Sequence, residues 1–185
     1  MTTTETRLTL ADFLRRPERK PALEFEEGMV TQKVSPRGKH SVLQYATAES
    51  VNVLLRPSKS GLAFPELRTT FAGRSLVPDV AVYAWNRIPR DASGKIADDF
   101  TTSPDIAFEI MSPGQRTNAL LRRCGWFVEH GVAAAVLVNP SKETVIVVEP
   151  GGAVTTLATG DTLDLGHIIV GLKVEISALF DALRL

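Results

Sequence analysis

Two apolar, strand-forming runs carry carboxylates within them, and this limits what the chain can fold into more than any other feature. The runs are Val77-Pro78-Asp79-Val80-Ala81-Val82-Tyr83 and Ser103-Pro104-Asp105-Ile106-Ala107-Phe108-Glu109-Ile110. β-Branched and aromatic residues are frequent in both, and each is entered through a Pro-Asp step. Strand alternation in the second run puts Ile106, Phe108 and Ile110 on one face and Asp105, Ala107 and Glu109 on the other. At about 3.3 Å of rise per residue, Asp105 and Glu109 stand roughly 13 Å apart, too far to share one ion. Glu109 therefore needs a carboxylate from another strand. Asp79 is the natural donor, with the small Ala81 and Ala107 expected to leave room for a ligand. A carboxylate inside an apolar sheet is costly unless it is paired, hydrogen-bonded or metal-bound.

The chain's 185 residues suit a single domain spanning 1–185 with a sizeable core. Lys plus Arg and Asp plus Glu both number 21, so no global basic field points to a polyanion, and nucleic acid would have to be met by local patches. The one cysteine, Cys124, excludes an internal disulfide framework and fits a reducing compartment. Met1 to Arg7 is polar and lacks an apolar signal region. The longest apolar run, Val132 to Val138, falls far short of the roughly 20 residues of a membrane span. A soluble, cytoplasmic protein with no membrane partner is the expectation.

The pattern predicts a short helix over Leu8–Leu14 with Thr9 as N-cap, and a hairpin of Leu23–Glu27 and Met29–Val34 about Gly28. A long helix follows from about Lys39 to Leu55, with Val42, Leu43, Ala46, Val51, Leu54 and Leu55 as its apolar side. Leu62–Phe64, Leu67–Phe71 and Leu76–Tyr83 read as strands. Asn86–Thr102 reads as a long polar loop, the kind that serves as a flap or mobile insertion. After the second acidic strand comes a helix from about Thr117 to His130, closed at Gly131, with Leu120, Cys124 and Phe127 on its apolar face. Val132–Val138 is a buried strand, Thr144–Glu149 and Val154–Leu157 a hairpin, and Ile176–Leu183 a closing helix. The order makes one α/β (α+β) domain with a central mixed sheet flanked by helices.

Asp79 with Glu109 could hold one or two hard cations, since Mg²⁺ is content with one or two carboxylates completed by water and phosphate. The alternative is a Pro-Asp strand start and a hydrogen-bonded Glu at a sheet edge. His40 reads as a phosphate or water contact or, more ordinarily, as a surface residue near a helix start. Ser112 has no G-x-S-x-G context and no obvious histidine partner, so its part is to end the strand at Pro113.

The ordered set of Leu8-Thr9-Leu10-Ala11-Asp12-Phe13-Leu14, Leu23-Glu24-Phe25-Glu26-Glu27-Gly28, Ser35-Pro36 with His40, Val77-Pro78-Asp79 and Pro104-Asp105-Ile106-Ala107-Phe108-Glu109-Ile110-Met111-Ser112-Pro113 resembles the Uma2 family (DUF820). So do Glu129-His130-Gly131-Val132 and the strand end at Asn139-Pro140. That family has the restriction-endonuclease-like PD-(D/E)XK fold. The resemblance implies that Asp79 and Glu109 are the metal-binding carboxylates, that Glu24 and His40 line the site, and that Glu66 is a further substrate-side residue. Asp105 also matches a family position, but its distance from Glu109 makes it structural. Met111 stands where the E-x-K motif has its lysine. In the family that lysine usually sits on the following helix, and counting back from Gly131 reaches Arg123. Arginine steadies phosphate charge but stays protonated at neutral pH.

The resemblance thus implies a Mg²⁺- or Mn²⁺-dependent endonuclease acting on DNA, with Asp79, Glu109 and Arg123 at its centre. Two other readings stand beside it. One is a nuclease fold that has lost its chemistry and binds nucleic acid or a protein partner. The other is a homodimeric structural module with an inert acidic pair.

Overall fold

The structure, a computed structural model, describes residues 8–184; the polar start at Met1–Arg7 lies outside them. The first helix is short, α1 (Leu10–Leu14), and Thr9 opens it through a capping box with Asp12. A hairpin follows, β1 (Leu23–Glu26) and β2 (Met29–Gln32). Its two turn residues, Glu27 and Gly28, both take positive φ (50° and 86°), as a tight two-residue hairpin turn requires. Next come α2 (Gly38–Leu55), β3 (Gly61–Pro65), β4 (Thr69–Phe71), β5 (Arg74–Leu76) and β6 (Val80–Ala84). The second half holds β7 (Ile106–Ile110), α3 (Thr117–Glu129), β8 (Ala134–Asn139), β9 (Thr144–Glu149) and β10 (Ala153–Ala158). It closes with β11 (Thr162–Asp164), β12 (Lys173–Glu175) and α4 (Ile176–Asp181).

A six-stranded mixed sheet in the order β10-β9-β8-β7-β6-β3 forms the centre. Only β7 and β8 run parallel, joined through α3; the other pairs are antiparallel. One face packs Ile106, Phe108, Ile110, Val136 and Val138 against Leu43, Val51 and Leu55 of α2 and Phe180 of α4. The other face packs Ala107, Ala135 and Leu137 against Leu120, Cys124 and Phe127 of α3. Covering on both faces explains the unbroken apolar character of β8. A second, four-stranded antiparallel sheet, β2-β1-β5-β4, lies beside the first, and β11 pairs with β12.

Several sequence expectations are corrected here. Leu76–Tyr83 is not one strand. It divides into β5 in the small sheet and β6 in the large one, and Val77-Pro78-Asp79 makes the crossing. Pro78 has no N–H to give a ladder, so the strand breaks there. Ala81 and Ala107 leave no space for a ligand: both are fully buried, Ala107 beneath α3 and Ala81 against Tyr83, Ile88 and Phe100. On α2, Val42 and Leu54 are 39% exposed, whereas His40, Gln44 and Thr47 are buried. The inward face of this helix carries polar groups because part of it meets a polar site.

Asn86–Thr102 is no flap. A 3₁₀ turn at Trp85–Arg87 opens it, and Ile88 and Phe100 are buried. The Phe100 ring lies 5.0 Å from that of Tyr83 and 5.1 Å from that of Phe64. The Thr70 N–H donates to the Phe100 carbonyl at 2.9 Å, and the Tyr83 hydroxyl donates to the Thr102 carbonyl at 2.9 Å. Phe100→Ala should therefore cost about 3 kcal/mol by urea denaturation, as for other buried aromatic truncations. It should also expose the segment to limited proteolysis. Unchanged stability and proteolysis would mean that the loop is not anchored by its ring.

Candidate active site

Continuing the β6–β7 register, in which Val80 faces Phe108 and Ala81 faces Ala107, by one step sets Asp79 opposite Glu109. The Ile110 N–H donates to Asp79 Oδ2 at 2.7 Å, so the carboxylate closes the end of the ladder. Its other oxygen, Oδ1, accepts from Lys33 Nζ at 2.6 Å, and His40 Nε2 stands 3.4 Å away. Gln44, one turn beyond His40 on α2, donates from Nε2 to the Asp79 carbonyl at 2.9 Å. Lys33 follows β2, its own N–H bonded to the Ala22 carbonyl, and its ammonium also donates to the Val77 carbonyl at 2.7 Å.

Glu109 is joined by Arg123 of α3, whose Nε donates to Oε1 at 2.6 Å. The two terminal nitrogens of the same guanidinium donate to Glu24 of β1, at 3.0 Å to Oε2 and 2.7 Å to Oε1. Glu24 Oε1 also accepts the Val77 N–H at 2.7 Å. The Arg123 guanidinium carbon lies 5.3 Å from the Phe127 ring centre, one turn along the helix. The planar fork of arginine suits this bridge between two carboxylates.

Burial shapes the electrostatics. It pushes the Asp79 carboxyl up, but the His40 hydrogen bond and the Lys33 charge outweigh it and hold Asp79 at about 2. Burial also raises the Glu109 carboxyl, and here Arg123 does not fully reverse it because Asp79 and Glu24 push the same way. Burial alone would lower Lys33, yet the charges of Asp79 and Glu109 raise it above its ordinary value. The Cys124 thiol, buried beside this cluster, is pushed up to about 12 by burial, with the Glu109 charge adding to it. It is core.

Of the residues singled out from sequence, Asp79, Glu109, Glu24, His40 and Arg123 are brought together. Glu66 is not. It is exposed at a turn after β3, and it is its backbone N–H that meets Asp79, at 3.1 Å to the carbonyl. Asp105 belongs elsewhere, accepting from the Ala84 N–H at 2.7 Å and from Arg87 at 2.5 Å. His40 is buried rather than on the surface, and it supplies the partner Ser112 was expected to lack, with Nδ1 and Oγ 3.0 Å apart. Sequence reasoning missed Lys33 and Gln44. Gln44 could have been found as the i+4 neighbour of His40, whereas nothing in spacing separates Lys33 from the other lysines.

The donor set is compatible with a hydrated divalent ion. Among the described residues no group of three or more His, Cys, Asp or Glu side chains is arranged to hold a metal, so an all-protein cage is not built. Mg²⁺ or Mn²⁺ makes a smaller demand, one or two carboxylates with water in the other positions, and Asp79, just before β6, and Glu109 of β7 are the residues that could supply them.

An acidic strand pair backed by a helix, in a mixed sheet with helices on both faces, defines a nuclease-like α/β fold of the restriction-endonuclease kind. A solved structure described as a "putative nuclease belonging to DUF820", from Anabaena variabilis, matches it. That protein is 35% identical, with a TM-score of 0.89 over 95% of this chain and 99% of its own. A DrdV–DNA complex aligns with 64% of this chain and 12% of its own at 10% identity and a TM-score of 0.36, too weak a likeness to carry an argument. No curated protein matches. The family model for Uma2, described as "Putative restriction endonuclease", covers residues 10–177, and the chain belongs to that family.

Arg123→Ala should leave Glu24 and Glu109 buried without their cation and cost about 3–5 kcal/mol in chemical denaturation. Arg123→Lys should recover only part of this, because a compact ammonium cannot span both carboxylates. Near-wild-type stability of Arg123→Ala would show that the bridge is not structural.

Proposed function

We propose that this protein hydrolyses DNA phosphodiester bonds with the help of Mg²⁺ or Mn²⁺. The observation that supports it best is that Asp79, at the entry to β6, and Glu109 of β7 come together at one end of that strand pair, with a cation beside each. Asp79 is oriented by the Ile110 N–H and through its carbonyl by Gln44, so one carboxylate edge is held still for a ligand. Glu109 would offer the second ligand oxygen. When bound, a divalent ion activates water and offsets charge developing on the phosphate. Arg123, already at Glu109, would add fixed positive charge on the side from which that charge builds. His40, itself bonded to Ser112, would steady Asp79 at Oδ1.

DNA contact would fall to local cations, since net charge is zero. Arg116 and Arg122, both exposed at the start of α3 where they line one cleft with Asn118, are better placed than Arg87, which is engaged by Asp105. The log of affinity should fall with log salt by about 0.9 per phosphate neutralised, and an Arg116→Ala/Arg122→Ala double variant should flatten that slope.

One observation favours the second reading, a nuclease fold that binds without cutting. Both carboxylates already have protein cations, and arginine stands where the family usually has lysine. Incubation of supercoiled, linear, nicked and single-stranded DNA with Mn²⁺ separates the two. Cleavage that disappears in Asp79→Ala, with that variant folded, supports hydrolysis; salt-sensitive binding without any turnover supports the binding module.

A further inference from the structure

The two oxygens of Asp79 are held in different ways. Oδ2 is fixed by a backbone N–H, whereas Oδ1 meets side chains: the Lys33 ammonium at 2.6 Å, on a flexible four-carbon stem, and His40 Nε2 at 3.4 Å. Arg123 contrasts with Lys33, tied by three hydrogen bonds to two carboxylates and resting against Phe127. Lys33 also lines an open cleft whose walls include Arg19, Lys20, Ser35, Pro65 and Glu66. Of the two site cations, then, Arg123 is held between two carboxylates, whereas Lys33, bonded to Asp79 and to the Val77 carbonyl, borders a cleft that its ammonium can turn into.

Charge points the same way. With the imidazole of His40 set aside, Glu24, Asp79 and Glu109 face Lys33 and Arg123, leaving one negative charge in excess. A divalent ion seated at Asp79 with Lys33 still in place would set two cations against the same carboxylate oxygen, and they would repel at short range in a water-poor setting. If the ammonium departs, the three carboxylates are balanced by Arg123 and the ion.

We propose that Lys33 is an exchangeable counter-ion: a divalent cation binding at Asp79 displaces its ammonium, which turns into the adjoining cleft and meets a phosphate of the nucleic acid. This rests on the reading of Asp79 and Glu109 as ligands of a divalent ion. Lys33 thereby couples metal loading to substrate contact. The hairpin that carries it is a working part of the site as well as a strand of the small sheet.

Calorimetric titration of Mn²⁺ into the wild type and into Lys33→Met, Lys33→Gln and Lys33→Arg tests this. Removing the competing charge should tighten Mn²⁺ binding about tenfold in both Lys33→Met and Lys33→Gln. Lys33→Arg, which keeps the charge, should bind no tighter than the wild type. Without metal, Lys33→Met should melt at a lower temperature, and Mn²⁺ should raise its Tm by more than it raises that of the wild type. Lys33→Gln retains an amide donor for Asp79 and covers the case in which the methionine variant folds poorly. DNA affinity measured with Ca²⁺ should show a log–log salt slope shallower by about 0.9 in Lys33→Gln, for one lost phosphate contact. If the wild type binds Mn²⁺ and neither neutral variant binds it more tightly, Lys33 is a fixed structural partner and the exchange is overturned while the metal reading stands. If no variant and no wild type binds Mn²⁺, both are overturned.

Discussion

The backbone at Val77-Pro78-Asp79 leaves one sheet and enters another, and the structure depends on how its polar groups are satisfied there. Away from both ladders, buried N–H and C=O groups must find partners elsewhere or cost the fold dearly. The Val77 N–H goes to Glu24, the Val77 carbonyl to Lys33, and the Asp79 carbonyl to Gln44 and the Glu66 N–H. Elements far apart in sequence thus meet at one crossing. The residues that hold the two sheets together are the same ones that gather charge at the candidate site.

That shared duty accounts for the electrostatics. Three carboxylates are drawn into a small, largely buried volume, and two cations and a histidine are drawn in with them. Ion pairs taken out of water gain little over apolar packing unless they are hydrogen-bonded on several sides. Here each carboxylate has at least one backbone or guanidinium donor, and the geometry leaves few degrees of freedom. The Lys33 ammonium, bonded to Asp79 and the Val77 carbonyl, is the member of the cluster that borders a cleft.

Arg123 illustrates why residue identity matters at a bridging position. A lysine there could satisfy Glu109 or Glu24 but not both with two-pronged geometry. With arginine, β1, β7 and α3 are joined by one planar group, at the cost of locking that cation in place. The ammonium at the site then comes from the β1–β2 hairpin instead, on the other side of Asp79.

The second acidic strand, the hairpin about Gly28, the capped first helix and the strand–helix–strand order around α3 were legible in the residues, because each rests on local patterning and turn chemistry. So was the pairing of Asp79 with Glu109, since alternation and strand rise leave Asp105 too far away. The split of Leu76–Tyr83 between two sheets was not legible, because a run of β-formers does not say which neighbours its halves will find. Nor was the anchoring of Phe100, whose burial depends on rings contributed by β3 and β6. His40, Gln44 and Lys33 mark the limit most clearly. A polar residue on a helix or after a strand has the same local signature whether it faces water or a carboxylate. Only the folding of α2 and the β1–β2 hairpin over the sheet crossing decided that these three face Asp79, because a long-range hydrogen bond leaves no periodicity in the sequence that makes it.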